Sequence, residues 1–141
     1  MGFPVSIFLL SLFLASCVGQ NVIVEGSITC GGAANVNSNV ELVEREMITV
    51  DELKNEAWTE NGKYRILGKQ DEYESGFPYV VVTDFCLKNE ECLRLTVYDV
   101  PKEKLGNIFT LNIDLKKRRG FATEQIWCKD NKDEYRFVEK Q

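Results

Sequence analysis

The amino-acid sequence predicts an all-β protein, an antiparallel β-sandwich of about seven or eight short strands that is stabilised by disulfide bonds. Several segments alternate apolar and polar side chains with a period of two, which is the pattern of a half-buried strand. Turn-forming residues separate these segments. Four cysteines follow an apolar leader, and an even number of cysteines in a short exported chain indicates a disulfide framework.

The first 19 residues differ from the rest of the chain, because they carry no charged side chain. Residues 7–15 form an apolar run that is shorter than the roughly 20 residues needed to span a bilayer. Small residues at 15–19 can supply a cleavage site, so we expect a signal peptide at 1–19 and a mature chain beginning at Gln20. This predicts a secreted protein of the extracellular region or cell surface, and not an integral membrane protein.

Two other interpretations of the N-terminus are less favourable. Residues 1–6 fit an N-myristoylation pattern, but a cytosolic acylated protein would expose the apolar run to water. Residues 14–17 resemble a bacterial lipoprotein box, but the basic residues that normally precede that box are missing. Secretion therefore remains the preferred interpretation.

One domain is expected to fill residues 20–130, and the charged tail at 131–141 is expected to fray. Asn61-Gly62 predicts a tight hairpin turn, since both residues tolerate positive φ. Residues 44–58 are ambiguous: a capping box beginning at Thr49 allows a short helix, and an irregular loop is equally compatible. The predicted strands cover residues 22–30, 40–43, 64–68, 79–83, 93–97, 109–115 and 121–127, and the alternation at 109–115 is the strongest.

The cysteines predict two disulfides in the mature chain, because Cys17 is removed with the signal peptide. Three pairings of the remaining four residues are allowed. Free thiols and a zinc site are the alternatives. Zinc is disfavoured because the chain has no histidine and no Cys-x-x-Cys pair, so we expect neither a metal nor a cofactor. The four are Cys30, Cys86, Cys92 and Cys128.

The net charge of −5 argues against nonspecific nucleic-acid binding. One run of four cations, here called the basic segment, departs from this acidity. It is either a solvated turn between strands or a patch that docks on anionic phospholipids or sulfated glycans; a dibasic processing site is the least favoured reading. The segment comprises Lys116, Lys117, Arg118 and Arg119.

Five aromatic residues could line an apolar ligand cleft, but such side chains more often fill a core, which we take as the expectation. They are Trp58, Tyr64, Tyr79, Phe109 and Trp127.

Three stretches in this order, behind a signal peptide, resemble the nematode transthyretin-like family. They are Val24-x-Gly26-x-Ile28-x-Cys30 with Val40-Glu41-Leu42, then Trp58-Thr59-Glu60-Asn61-Gly62-Lys63-Tyr64, and Phe77-Pro78-Tyr79-Val80-Val81-Val82-Thr83-Asp84-Phe85-Cys86. The resemblance runs from about Val22 to Val100 and weakens afterwards. It implies a prealbumin-like sandwich displayed outside the cell. Asp84 stands where members usually have histidine, which marks a divergent member.

The resemblance also bears on the disulfides. In a prealbumin-like arrangement the strands ending at Cys30 and Cys86 would finish at the same end of the sandwich. This favours Cys30–Cys86 with Cys92–Cys128, and a local Cys86–Cys92 bond is the main alternative.

The related fold also occurs in 5-hydroxyisourate hydrolases, which use histidines and a Tyr-Arg-Gly-Ser tail. This chain has no histidine and its tail reads Tyr135-Arg136-Phe137-Val138, so the usual general acid–base group is missing. We therefore expect a binding module, not an enzyme, whose partner is an extracellular protein or an anionic lipid or glycan surface. The alternative is a secreted inhibitor-like domain on another disulfide scaffold, such as a cystatin-like fold.

Overall fold

The computed structural model describes residues 20–34, 37–46, 49–69, 77–117 and 123–140. These residues form eleven strands and one 3₁₀ turn at Lys102–Lys104. The strands are β1 (Asn21–Cys30), β2 (Ala33–Ala34), β3 (Asn39–Arg45), β4 (Glu52–Trp58), β5 (Lys63–Lys69), β6 (Phe77–Asp84), β7 (Cys92–Asp99), β8 (Ile108–Thr110), β9 (Ile113–Asp114), β10 (Thr123–Lys129) and β11 (Tyr135–Lys140).

The strands build two sheets. In the first sheet, β2 and β5 pair with one edge of β1, and β8 and β9 pair with its opposite edge. The second has the order β11-β10-β7-β6-β3-β4, and all of its neighbours are antiparallel. The predicted all-β sandwich is thus confirmed. The cystatin-like alternative is wrong, because the described part of the chain has two stacked sheets and no α-helix.

The core lies between the sheets and follows the period of two in the sequence. Val24 and Ile28 point inward from β1, and both are fully buried. They pack in one cluster with Val40 of β3 and with Val80 and Val82 of β6. Full burial of each such side chain stabilises the fold by about 1.5–3 kcal/mol. The alternate residues of β1 and β5 therefore form the outer face of the first sheet.

The described part of residues 44–58 contains no helix, and most of it is strand and not the irregular loop that the sequence left open. Glu52–Trp58 forms β4, an edge strand that pairs antiparallel with β3 and has a register shift at Leu42/Val43. The predicted capping box at Thr49 begins no helix, and Asp51 within it accepts hydrogen bonds from Glu46 N at 3.1 Å and from the Tyr79 hydroxyl at 2.7 Å. Pairing with β3 thus overrides the local capping signal.

The strongest predicted strand, residues 109–115, is divided in the structure. Its parts β8 and β9 run parallel to β1, whereas the sequence predicted antiparallel pairing only. Between them, Ser27 N donates to the Asn112 side-chain oxygen at 2.9 Å, so a side chain takes the place of a backbone acceptor. The predicted inward face is nevertheless correct, since Leu111, Ile113 and Leu115 are buried.

The charged tail also differs from the expectation of fraying. Tyr135–Lys140 forms β11, which pairs antiparallel with β10. Trp127 of β10 and Phe137 of β11 make an edge-to-face contact with 5.6 Å between ring centroids. This aromatic contact packs the tail against β10, although the charged composition of the tail did not predict it.

Candidate functional site

Both disulfides lie at one end of the sandwich, here called the disulfide end. Cys30 at the end of β1 is bonded to Cys86 just after β6, which joins the two sheets. Cys92 is bonded to Cys128, its direct register partner on β10. The structure therefore contains the pairing that the resemblance favoured, and the local Cys86–Cys92 bond is absent.

A buried ion pair lies beside these bonds. Asp84 is fully buried, and its two carboxylate oxygens accept hydrogen bonds from Arg94 Nε and Nη2, both at 3.0 Å. Arg94 Nη2 also donates to Leu115 O at 2.9 Å, which connects the second sheet to the segment after β9. Burial alone would lower the pKa of Arg94, but the hydrogen bond and charge of Asp84 raise that pKa above its ordinary value. Asp84, which stands where members of the family usually have histidine, is therefore paired with Arg94.

The Asn61-Gly62 turn carries the chain from β4 in the second sheet to β5 in the first. Both residues have positive φ, 50° and 72°, as the sequence predicted. Glu60 and Lys63 bracket the turn and exchange two backbone hydrogen bonds of 2.9 Å. Ile28 N donates to Gly62 O at 2.6 Å, so the turn is fixed against the first sheet.

An open cleft of about 580 Å³, here called the Trp58 cleft, lies beside this turn. Trp58 is its largest side chain and is 59% exposed. Lys63 and Arg65 are exposed on the outer face of the first sheet, and both also line the cleft. The cleft therefore combines a flat apolar ring with two cations, and it is lined by Ala57, Trp58, Glu60, Asn61, Lys63, Tyr64 and Arg65.

Arg65 keeps donors available to a ligand. Its Nη1 lies 3.4 Å from Glu25 Oε2, but its side chain remains 65% exposed. Because a guanidinium has five N–H donors, an exposed pair with one carboxylate leaves others to bind an anion.

The described part of the basic segment follows β9 at the edge of the first sheet, and its Lys117 lies beside Ser27 and Thr29 of β1. Lys116 and Lys117 are exposed, and Lys117 Nζ is 4.0 Å from Asp114 Oδ2. Thr29 of β1 pairs with Asp114, and Ser27 of β1 pairs with Lys63. β1 thus separates the two groups of cations, and β5 and β9 are about 10 Å apart across it. Arg118 and Arg119 lie outside the described residues, so the patch hypothesis for the whole segment remains a prediction.

The aromatic residues divide between core and surface. Tyr64 is buried, and its hydroxyl donates to Leu111 O at 2.7 Å, while Phe109 packs partly buried against the core. Trp58 does not belong to the core, which corrects the expectation for that residue. Sequence reasoning also missed Lys63 and Arg65, although their alternation after the Asn61-Gly62 turn already places them on the outward face.

Among the described residues, one group of carboxylates could geometrically hold a cation: the oxygens of Glu44, Glu46 and Glu52 lie within 4.8 Å of one another. Lys54 Nζ already stands 2.9 Å from Glu44 Oε2 and 2.8 Å from Glu52 Oε2. Its ammonium group offsets part of their mutual repulsion, so Lys54 joins Glu44 and Glu52 in an ion-pair network that is buried at Glu44 and exposed at Glu52.

The two stacked sheets, joined by a disulfide and bearing an open polar cleft, define a disulfide-linked β-sandwich domain of the prealbumin type. The model of the Transthyretin-like family matches residues 25–101. The chain belongs to that family, as a divergent member. It is 29% identical over 116 residues to Transthyretin-like protein 16 of Caenorhabditis elegans, covering 74% of this chain and 88% of that protein. No solved structure matches the chain.

The family resemblance predicted from the sequence is therefore confirmed. Within the part of the chain that the structure describes, no helix has both the length and the apolar composition required to cross a bilayer.

Proposed function

We propose that this protein is a secreted, non-enzymatic binding module that recognises an anionic extracellular surface through the outer face of its first sheet. The observation that carries the proposal is the Trp58 cleft, where a largely exposed indole stands beside Lys63 and Arg65. Trp and Arg are among the side chains that are enriched at binding hot spots, so their proximity at this surface favours a binding role.

The charge distribution supports an anionic partner. The chain carries a net charge of −5, yet Lys63 and Arg65 of β5 and Lys116 and Lys117 after β9 flank β1 on its two edges. These four cations outnumber the three carboxylates beside them, Glu25, Glu60 and Asp114, so this part of an acidic protein is the more favourable place for an anion. Each basic side chain near an anionic surface contributes about 1 kcal/mol.

Secretion and a non-catalytic role are supported separately. The apolar leader at 1–19 has the form of a signal peptide, and disulfides persist in oxidising compartments. The chain has no histidine, so the side chain best suited to proton transfer near neutral pH is missing. The cleft is open and lined by a single carboxylate, so it lacks the pair of carboxyl groups that many hydrolases use.

Binding of the oxidised mature protein to anionic surfaces tests the proposal. Flotation with vesicles containing phosphatidylserine, with neutral vesicles as reference, and retention on immobilised heparin report the two kinds of surface. The double variant Lys116→Ser with Lys117→Ser should bind about 30-fold more weakly than wild type to the surface that wild type prefers. This factor corresponds to the loss of two cations at about 1 kcal/mol each.

The matched control is Lys102→Ser with Lys104→Ser, which removes the same charge from the opposite end of the sandwich. Binding of this control should remain within about threefold of wild type. The proposal is wrong if the wild type binds neither surface, or if both double variants lose affinity equally.

A further inference from the structure

We infer that the Trp58 cleft binds an acidic saccharide, that is, a sugar ring bearing sulfate or carboxylate groups, with the ring stacked on the indole of Trp58. This inference rests on the proposed function and adds to it the ligand class, the stacking residue and the place where the ligand sits.

The exposure of Trp58 points to stacking. Trp58 is the last residue of β4 and pairs with Asn39, so its backbone is held in the sheet. Its side chain nevertheless stays 59% exposed and is absent from the core cluster. Folding therefore makes little use of this large apolar ring, and its flat face remains free to cover the C–H face of a sugar.

The other lining residues match the polar parts of an acidic sugar. The cations of Lys63 and Arg65 can bind sulfate or carboxylate, and guanidinium binds such planar or tetrahedral anions with two parallel hydrogen bonds. Asn61 and Glu60 add an amide and a carboxylate that can bind hydroxyl groups. A fatty ligand would leave these four groups desolvated and unpaired, so the lining disfavours it.

The shape of the site favours a saccharide over a membrane. The cleft is a concave volume of about 580 Å³, which one or two sugar rings can enter and a flat bilayer surface cannot fill. Its walls are fixed by backbone hydrogen bonds, Ile28 N to Gly62 O at 2.6 Å and Thr59 N to Ser38 O at 2.9 Å. A preformed site of this kind loses little conformational entropy on binding.

Tryptophan fluorescence offers a direct test, because the chain has two tryptophans and Trp127 lies on the distant β10. Trp127→Phe leaves Trp58 as the single reporter and keeps an aromatic ring against Phe137. Titration of this variant with a heparin oligosaccharide should shift its emission in a saturable manner. A neutral oligosaccharide of the same length, without sulfate or carboxylate groups, should produce no shift at the same concentrations.

Calorimetry on otherwise wild-type protein measures the energetic role of the ring. Trp58→Ala should weaken binding of the heparin oligosaccharide about tenfold. Leu67→Ala is the matched control, since Leu67 is 53% exposed on β5, the strand that carries Lys63 and Arg65, but does not line the cleft. The affinity of this variant should equal that of wild type. Lys63→Ser with Arg65→Ser should reduce the dependence of affinity on salt, whereas Trp58→Ala should leave that dependence unchanged.

The outcomes separate this inference from the proposed function. If immobilised heparin retains the protein but the emission of Trp58 does not change and Trp58→Ala binds normally, the saccharide does not occupy the cleft and only the inference fails. If phosphatidylserine vesicles shift the emission and the oligosaccharide does not, the occupant is a lipid surface and the inference is again wrong. If neither probe binds the wild type, both proposals fail together.

Discussion

The buried pair of Asp84 and Arg94 predicts a large loss of stability when one partner is removed alone. Asp84 is fully buried, and its only hydrogen-bond donor besides Arg94 in the described chain is Cys86 N at 2.9 Å. Arg94→Leu therefore leaves a carboxylate in the interior with one backbone donor. Loss of one partner from a buried pair costs about 3–5 kcal/mol, mainly because the remaining charge is uncompensated.

The neutral replacement of the other partner should reverse part of that loss. Asp84→Asn in the Arg94→Leu background removes the uncompensated charge, so we expect the double variant to be about 1–3 kcal/mol more stable than Arg94→Leu alone. Asp84→Asn alone should cost less than Arg94→Leu, because the Arg94 side chain is 12% exposed and still donates to Leu115 O at 2.9 Å. Asp84→His, which restores the residue usual in the family, should be destabilising here because imidazole faces a guanidinium.

Urea unfolding of the oxidised protein at neutral pH measures these differences, and the four free energies of the cycle give the coupling between the two side chains. The reasoning is refuted if Arg94→Leu unfolds within about 1 kcal/mol of wild type, or if the two single substitutions are additive, since a buried pair must show coupling. Intact Cys30–Cys86 and Cys92–Cys128 bonds must be verified in each variant.

Three further substitutions test other parts of the structure. Glu41 faces Glu56 across β3 and β4, and burial and then that neighbour raise the pKa of Glu41 above 4.5. Glu56→Gln should therefore stabilise the fold by about 0.2–1 kcal/mol at pH 7. Urea midpoints should show this gain disappearing as the pH falls through the raised pKa of Glu41, because that carboxyl then becomes protonated and the repulsion ends. Burial and the hydrogen bond to Asp51 raise the pKa of Tyr79 to about 12, so Asp51→Ala should lower that pKa partway toward 10.0. An absorbance titration, with Tyr79→Phe as the reference, measures this pKa, and an unchanged value would contradict the role of the hydrogen bond. Gly62→Ala should destabilise the protein by about 1–2 kcal/mol, because φ is +72° and a Cβ atom would lie 2.8 Å from a backbone oxygen of β1. Thermal unfolding measures this loss, and stability equal to wild type would show that the turn tolerates a side chain.

Much of the fold could be predicted from the sequence because each inward face follows a local rule. Alternation identifies Val22, Val24 and Ile28 as core residues without knowledge of their partners. The Asn61-Gly62 turn is equally local, since its positive φ values depend on those two residues.

The features that the sequence did not predict depend on partners distant in the chain. β4 has little apolar alternation, and it forms because β3 offers it a free edge. Alternation at 109–115 reports which side is buried but not whether the neighbouring strand is parallel, and here β1 is parallel to both parts.

The candidate site was predictable only in part. The run of cations at 116–119 is visible as composition, whereas Lys63 and Arg65 are single residues that gain significance only when folding leaves Trp58 beside them. Exposure of an aromatic ring is decided by what packs over it, and no local pattern in the sequence carries that information.

The position of the two covalent crosslinks has a consequence for how the molecule opens. Both bonds tie strands together at the end that carries the Trp58 cleft and Lys116, and the described strands have no such tie at the other end, where β1 begins at Asn21. Partial opening under thermal agitation should therefore start at the unlinked end and stop before the crosslinks. We expect amide hydrogens near Asn21 to exchange with solvent faster than those near Cys30, so the proposed binding face would remain assembled while the remainder of the sandwich loosens.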